Sequence, residues 1–196
     1  MSDAPWLVVG LGNPGPTYTA TRHNIGVMAV ERFADSLGGR LGSHRRCRAE
    51  VTEGRVGPLG HGSLRVVAAR TRGFMNDSGG PVACLIDFYK VPLDRLVVLH
   101  DELDLPLGAI RLKLGGGDNG HNGLRSLRRS LGSGEFHRIR LGIGRPPGRQ
   151  DPAEFVLRPF AGSERTEVDL LCAETADAVE VLVRQGLPAA QNQFNR

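Results

Sequence analysis

The chain has 196 residues, 40% of them hydrophobic and 23% charged, which suits one soluble globular domain with a continuous core. Its formal net charge of +4 fits a polyanionic partner such as nucleic acid, although charge alone does not require one. No apolar stretch is long enough to span a membrane and the first residues lack a signal-peptide pattern, so we expect a cytoplasmic protein with no membrane partner.

The N-terminal half alternates short apolar runs with segments whose apolar side chains recur at helical spacing. The predicted elements are a strand at 6–9, a helix at about 24–37, a hairpin of strands 47–56 and 63–69 joined at 57–62, and a helix at 78–89. Ser78 precedes a helix, so we expect its hydroxyl to act as an N-cap rather than as a nucleophile.

The C-terminal half continues the alternation. The predicted elements are a strand at 96–99 followed by an acidic segment at 101–104, a strand at 110–114, a helix at 122–131, a strand at 138–143 and a helix at 164–185. Strands that alternate with helices indicate an α/β sandwich around a twisted sheet. We expect the tail from Pro188 onward to be mobile.

Two local patterns favour plainer interpretations over cofactor or metal binding. Gly10-Leu-Gly-Asn-Pro-Gly15 matches a dinucleotide fingerprint, but Pro14 and the polar segment after it do not predict a helix at the third glycine. Adjacent carboxylates in His100-Asp-Glu-Leu-Asp104 point to opposite faces of an extended chain, which disfavours a metal cluster. We therefore expect neither a cofactor nor a metal.

The three cysteines predict reduced thiols. Cys47, Cys84 and Cys172 are far apart in sequence and form no CxxC pair. An odd number without close pairs indicates neither a disulfide framework nor a structural zinc site.

Polar side chains occur in loops beside several predicted strand and helix ends, where loops of an open α/β sheet gather into one crevice. His23 can accept a proton near neutral pH, and a carboxylate such as Asp101 can fix its tautomer. Asn13, Asn76 and Asn122 offer amides that can bind a peptide or stabilise an oxyanion. Together they predict hydrolysis by a positioned water. Each residue also has a plainer interpretation as a turn former or a surface side chain, and spacing alone does not show that they converge.

Four ordered signatures occur along the chain. The segments are Val9-Gly-Leu-Gly-Asn-Pro-Gly15 with Thr21-Arg-His-Asn24, Phe74-Met-Asn-Asp-Ser-Gly79, His100-Asp-Glu-Leu-Asp104 with Gly115-Gly-Gly-Asp-Asn-Gly-His-Asn-Gly-Leu124, and Phe136-His-Arg-Ile-Arg-Leu-Gly-Ile-Gly144. They resemble the signatures of bacterial peptidyl-tRNA hydrolases, and the match is collinear from about residue 7 to 193. The resemblance implies a single α/β/α sandwich domain over residues 1–196, with a mixed, twisted sheet flanked by helices. It also implies a monomer that needs no metal.

The resemblance further implies hydrolysis of the ester between a peptide and the 3′-terminal ribose of its tRNA, which recycles tRNA released from stalled or aborted translation. His23 is implied to be the general base on water, supported by Asp101, and Asn13 to sense the blocked amino end. Lys113 and Arg140 resemble the pair that grips the 5′ phosphate of the acceptor stem. The remaining implied contacts to the peptide and the CCA end are Tyr18, Phe74, Met75, Asn76, His121 and Asn122.

Two departures from the family pattern concern loops. Asn119 stands where the family usually has glycine, although Asn tolerates positive φ better than most residues, and the segment before Phe74 lacks the proline often found there. A basic helix face has two interpretations, a solvated surface or a contact to the tRNA backbone. It consists of Arg125, Arg128 and Arg129.

Two other functions remain as alternatives. A non-catalytic RNA-binding relative would have no need of a general base such as His23. A hydrolase of the same scaffold acting on another ester or on peptides would not need the basic residues Lys113, Arg125 and Arg140. Hydrolysis of peptidyl-tRNA explains both sets of residues.

Overall fold

The computed structural model describes residues 4–58 and 62–195, and within them it has seven strands and six α-helices. The strands are Trp6–Gly10 (β1), Gly42–Ser43 (β2), Ala49–Val56 (β3), Leu64–Thr71 (β4), Leu96–Glu102 (β5), Ile110–Leu114 (β6) and His137–Gly142 (β7). The helices are Ile25–Ser36 (α1), Gly79–Tyr89 (α2), Asn122–Leu131 (α3), Pro152–Val156 (α4), Arg165–Gln185 (α5) and Leu187–Phe194 (α6).

All seven strands form one mixed sheet in the order β2-β3-β4-β1-β5-β7-β6. The central strands β4, β1, β5 and β7 are parallel, whereas β2, β3 and β6 pair antiparallel at the two sides. The expected α/β class with a mixed sheet flanked by helices is therefore confirmed. The predicted hairpin is β3–β4, and part of its expected turn lies outside the described residues.

Helices cover both faces of the parallel centre of the sheet. Successive side chains of a strand point to opposite faces, so each central strand contributes to both apolar clusters. In β1, Val8 contributes to a cluster with helices α1 and α5, while Leu7 and Val9 contribute to a cluster with α2 and α3. This two-sided burial explains why β1 and β5 are continuous apolar runs. Among the described helices, none is both long and apolar enough to cross a membrane.

The tail that we expected to be mobile is instead helix α6, so this prediction was wrong. Asn195 accepts the Leu112 N–H at 2.6 Å through its side chain, and Gln191 and Asn195 donate to the Leu112 carbonyl at 3.0 and 3.1 Å. Phe194 is buried, only 8% exposed. The tail thus satisfies the backbone N–H and carbonyl of Leu112 on edge strand β6. Local apolar periodicity in the sequence does not reveal such a contact.

The prediction of reduced thiols also fails for two of the three cysteines. Cys47 and Cys84 form a disulfide that ties the segment before β3 to helix α2, with Cα atoms 5.7 Å apart. Cys172 is free and buried on α5. The pairing depends on the packing of α2 against the sheet, and a separation of 37 residues in the sequence gives no hint of that contact.

Ser78 does not cap helix α2 with its hydroxyl, contrary to the expectation. The buried Ser78 Oγ donates to the Met75 carbonyl at 2.7 Å, and the Gly79 N–H at the helix start donates to Ser126 Oγ at 2.9 Å. Ser126 of α3 therefore supplies the hydroxyl acceptor at the start of α2 that Ser78 was expected to provide.

Candidate active site

A cleft of about 830 Å³ opens where the parallel strands end. The carboxyl ends of β1, β4 and β5 lie at one edge because these strands are parallel. The structure brings the site residues predicted from the sequence together in the lining of this cleft. They are Asn13, Tyr18, His23, Phe74, Met75, Asn76, Asp101, Lys113, His121, Asn122 and Arg140.

His23 and Asp101 form a buried pair. His23 lies in the 3-10 helix Arg22–Asn24 that precedes α1. Asp101 is the penultimate residue of β5. The His23 Nδ1 atom is 2.8 Å from Asp101 Oδ2. A carboxylate only accepts, so Nδ1 carries the proton, and the Nε2 lone pair remains available to take a proton from a ligand or water.

His121 holds the other oxygen of the same carboxylate. Its Nδ1 accepts the N–H groups of Gly123 and Leu124 at the start of α3, so Nε2 must carry the proton. That N–H donates to Asp101 Oδ1 at 2.7 Å. Burial opposes ionisation of Asp101, yet its two histidine neighbours, His121 foremost, outweigh this and hold its pKa well below the usual range. The carboxylate is thus a fixed negative charge under His23.

His100 is a third imidazole in this cluster and is kept neutral. Its Nδ1–H donates to the Asp101 carbonyl at 2.8 Å, and its ring meets that of His121 edge to face at 5.1 Å between centroids. Burial, with the neighbouring His121 as the second cause, lowers the pKa of His100 to about 3. Protonation of His100 would place a positive charge in the buried interior, which is costly.

Asn13 presents its amide in one defined orientation. Its Oδ1 accepts the Met75 N–H at 2.8 Å, which leaves the Nδ2 group as the donor available to a ligand. The Asn24 side chain brackets the Asn13 backbone, accepting its N–H at 2.8 Å and donating to its carbonyl at 2.9 Å. Asn24 is only 2% exposed, so this bracket is rigid.

The other predicted contacts surround this centre with different degrees of exposure. Asn76 and Asn122 are exposed, and Phe74, 51% exposed, meets the half-buried Tyr18 edge to face at the cleft mouth. Met75 differs, because only 4% of its surface is exposed and it packs in the core beneath α3. It contributes to the cleft mainly by fixing Asn13 through its backbone.

The basic end of the cleft lies away from His23. On β7, the residue paired with Asp101 is Leu141 and the residue paired with Lys113 is Arg138, three positions away. Lys113 and Asp101 are therefore about 14 Å apart, across two strand spacings and three residues of strand. Arg140 Nε donates to Glu102 Oε2 at 3.1 Å. Burial, then the charges of Arg140 and Arg138, lower the pKa of Lys113, and this crowding of cations favours an anionic ligand there.

The glycine-rich loop before α3 is held by Arg138. This guanidinium, 1% exposed, donates to the carbonyls of Gly116, Gly117 and Gly134 and stacks on Phe136. Asn119 adopts φ 47°, which confirms that asparagine supports the positive φ expected at this glycine-like position. The loop therefore reaches from the basic end of the cleft to His121.

His23, Asp101 and His121 also place potential metal ligands within 4.8 Å of one another. Each of these residues already makes a hydrogen bond within the cluster, however. A metal on His121 Nε2 would move its proton to Nδ1, which faces two N–H donors at the start of α3. The donor set therefore suits a hydrogen-bonded cluster around Asp101 better than a metal.

Sequence reasoning did not single out Asn24, Arg138, Glu102 or the wall that α4 adds to the cleft. Asn24 and Arg138 stood inside the quoted signatures, but their function depends on backbone groups that no motif names. Helix α4 has five residues, too few to show a helical pattern of apolar side chains in the sequence.

Comparisons with known proteins agree with this architecture. A family model described as Peptidyl-tRNA hydrolase matches residues 7–196. The peptidyl-tRNA hydrolase of Streptomyces coelicolor is 55% identical over 192 residues, which cover 98% of this chain and 96% of the relative. That of Frankia casuarinae is 57% identical over 193 residues, which cover 98% and 95%.

A solved structure extends the agreement to three dimensions. The crystal structure of peptidyl-tRNA hydrolase from Acinetobacter baumannii matches with a TM-score of 0.84 and 37% identity, covering 100% of this chain and 96% of that chain. With the family model and relatives above half identity over nearly their whole length, the chain belongs to the peptidyl-tRNA hydrolase family.

Proposed function

We propose that this protein hydrolyses the ester between a peptide and the 3′-terminal ribose of tRNA, recycling tRNA released from stalled or aborted translation. The observation that carries the proposal is the pairing of an oriented base with an oriented donor. Asp101 fixes the His23 tautomer, and the Met75 N–H fixes the Asn13 amide. Family membership supplies the substrate class.

In the proposed mechanism, His23 Nε2 removes a proton from a water molecule as the water oxygen attacks the ester carbonyl. Asp101 stabilises the resulting imidazolium. Amide donors such as Asn76 and Asn122 stabilise the oxyanion of the tetrahedral intermediate. The intermediate then collapses, and the ribose oxygen leaves with the proton returned by His23. The products are a peptide carboxylic acid and free tRNA.

The orientation of Asn13 supports selectivity for the blocked substrate. A peptidyl ester carries an amide carbonyl that can accept from Asn13 Nδ2, whereas the ammonium of a free aminoacyl ester has only donors and would face another donor. Placing that charge without an acceptor is costly. Asn13 thus selects the N-blocked form, with Tyr18 and Phe74 flanking the peptide at the cleft mouth.

The basic end of the cleft is proposed to bind the acceptor stem. Lys113 lies about 14 Å of sheet away from Asp101, and Arg140 lies between them on β7, so Lys113 suits a phosphate remote from the ester. Arg125 and Arg128, both near Asp118, are exposed on α3 beside the glycine-rich loop. They extend the proposed contact along the phosphate backbone of the tRNA. We further propose a monomeric single domain that acts in the cytoplasm without a cofactor.

The test is hydrolysis of an N-blocked aminoacyl-tRNA beside its unblocked form. The proposal expects rapid release of tRNA from the blocked substrate and a strong preference over the unblocked ester. Asn13→Ala should reduce that preference by slowing the blocked substrate more. Binding of both without hydrolysis would identify a non-catalytic RNA-binding relative instead.

A further inference from the structure

Arg22 precedes the proposed base and makes an unusual set of contacts. Its guanidinium donates to both carboxylate oxygens of Glu164, at 3.0 and 2.8 Å, and lies between the rings of Phe155 and Phe160, 4.6 and 4.9 Å from their centroids. It is only 9% exposed. A buried, bidentate and doubly stacked arginine holds its partners in one geometry.

These contacts join two segments that are remote in sequence. The base segment, residues 20–24, contains His23, and the wall segment, residues 151–164, contains α4. Between them the Arg22 N–H donates to the Arg158 carbonyl at 3.0 Å and the Phe160 N–H to the Ala20 carbonyl at 3.2 Å. The Arg22 side chain adds two hydrogen bonds and two ring contacts to this short backbone pairing.

The wall segment reaches the cleft through a different face of α4 from the one that contacts Arg22. Phe155 packs beneath Arg22, 8% exposed, while Pro152, Ala153 and Val156 line the cleft. A five-residue helix is not stable by itself, so its position depends on such tertiary anchors. The hydrogen bonds from Arg22 lower the pKa of Glu164, and its carboxylate therefore stays charged in the pair.

We propose that Arg22 is a positioning residue that sets the distance between the α4 wall of the cleft and His23, and so determines how tightly the peptide end of the substrate is held. This inference rests on the proposed function of the cleft. His23 itself is held separately by Asp101. Loosening the clamp therefore weakens binding without altering the base.

The test compares Arg22→Lys and Glu164→Gln with the matched control Arg184→Ala. Lys keeps the charge but loses the planar fork, whereas the control breaks an exposed arginine–glutamate pair on α5, at 40% and 45% side-chain exposure. We expect the first two variants to raise KM roughly tenfold, with kcat and the pH profile unchanged. The KM increase should appear on a minimal N-blocked aminoacyl nucleotide as well as on full tRNA.

Hydrogen exchange gives a second measurement that needs no substrate. Amides of residues 153–160 should exchange faster in Arg22→Lys and Glu164→Gln than in the control. Unchanged exchange and unchanged KM would overturn the inference, as would a shifted pH profile with a lower kcat, which would assign Arg22 to the base. A wild-type protein that does not hydrolyse peptidyl-tRNA would instead overturn the proposed function and the inference with it.

Discussion

Asp101 accepts a hydrogen bond from an imidazole on each of its oxygens, and the two imidazoles differ in what they can do next. His121 is fixed on both nitrogens, by Asp101 and by the start of α3, and cannot exchange a proton without breaking a helix cap. His23 has only Nδ1 engaged by Asp101. The geometry therefore supports the proposal that His23 transfers the proton and that His121 holds Asp101 in place.

Asp101→Asn tests this division of labour. The amide keeps the shape of the carboxylate but removes its charge, and it cannot accept from both imidazoles through both of its atoms. We expect a large fall in kcat, in the range of about 10²–10⁴ for impaired general-base catalysis, with KM nearly unchanged. Steady-state kinetics measure both. Recovery of activity on adding zinc or magnesium would contradict this account and support a metal at the cluster.

Lys113 and Arg140 differ in their partners, and this predicts different effects. Arg140 is paired with Glu102, whereas Lys113 faces other cations. Lys113→Ala should therefore weaken the binding of full-length peptidyl-tRNA more than Arg140→Ala does. Removing one phosphate contact should reduce the slope of log affinity against log salt by somewhat under one unit, about 0.7–0.9. Kinetics at two salt concentrations test this. Equal slowing of a minimal substrate without the acceptor stem would exclude a remote phosphate contact.

At the residue scale, the polar groups of the cleft could be predicted from the sequence, but their bonds could not. His23, Asp101 and Asn13 stand in motifs whose chemistry is recognisable. The acceptor role of Asn13 Oδ1 and the cap formed by His121 depend on backbone N–H groups of residues 75, 123 and 124. Backbone groups carry no sequence signal, so these orientations required the structure.

At the element scale, the elements with their own apolar periodicity were predictable, and those held by partners elsewhere in the chain were not. Strand β6 and helix α3 were predicted with the observed bounds, because apolar periodicity persists over five and ten residues there. Helices α4 and α6 were missed. Both owe their position to partners elsewhere, Arg22 for the first and the Leu112 backbone for the second.

The disulfide gives a test at this scale. The Cys47–Cys84 link closes a separation of 37 residues, for which loop entropy predicts a stabilisation of about 4 kcal/mol. Reduction with a dithiol should therefore lower the Tm by roughly 10 °C for a domain of this size. Calorimetry with and without reductant measures the shift, and Cys84→Ser should show no response. Two free thiols at these positions in protein purified without reductant would contradict the assignment.

For the whole molecule, a buried neutral histidine predicts a pH-dependent stability. His100 takes up a proton near pH 6.5 when unfolded but only near pH 3 in the fold. Between these values the unfolded chain binds more protons, so the free energy of unfolding decreases as the pH falls, by at most about 1.4 kcal/mol per unit from this residue. Below about pH 3 the residue has no further effect.

Denaturant titrations of wild type and His100→Asn between pH 7 and 4 measure this contribution. Asparagine can still donate to the Asp101 carbonyl through its amide, but it does not titrate. The variant should therefore lose less stability on acidification than wild type. Parallel curves for the two proteins would show that His100 is not held neutral.

The fold class and the position of the cleft were predictable because parallel strands bring their carboxyl ends to one edge, where Asn13, Asn76 and Asp101 were expected. The depth of the cleft was not, since its far wall is the unpredicted α4. The account thus depends on one chemical claim, that the edge of this sheet holds a histidine acting on water.

Turnover of N-blocked aminoacyl-tRNA by wild type and His23→Ala tests that claim most directly, with circular dichroism to confirm that the variant is folded. His23 is buried beside Asp101 but belongs to neither apolar core cluster, so the fold should survive. The account predicts a loss of roughly 10²–10⁴-fold in turnover, the usual worth of a general base. A folded variant with turnover near that of wild type would contradict it.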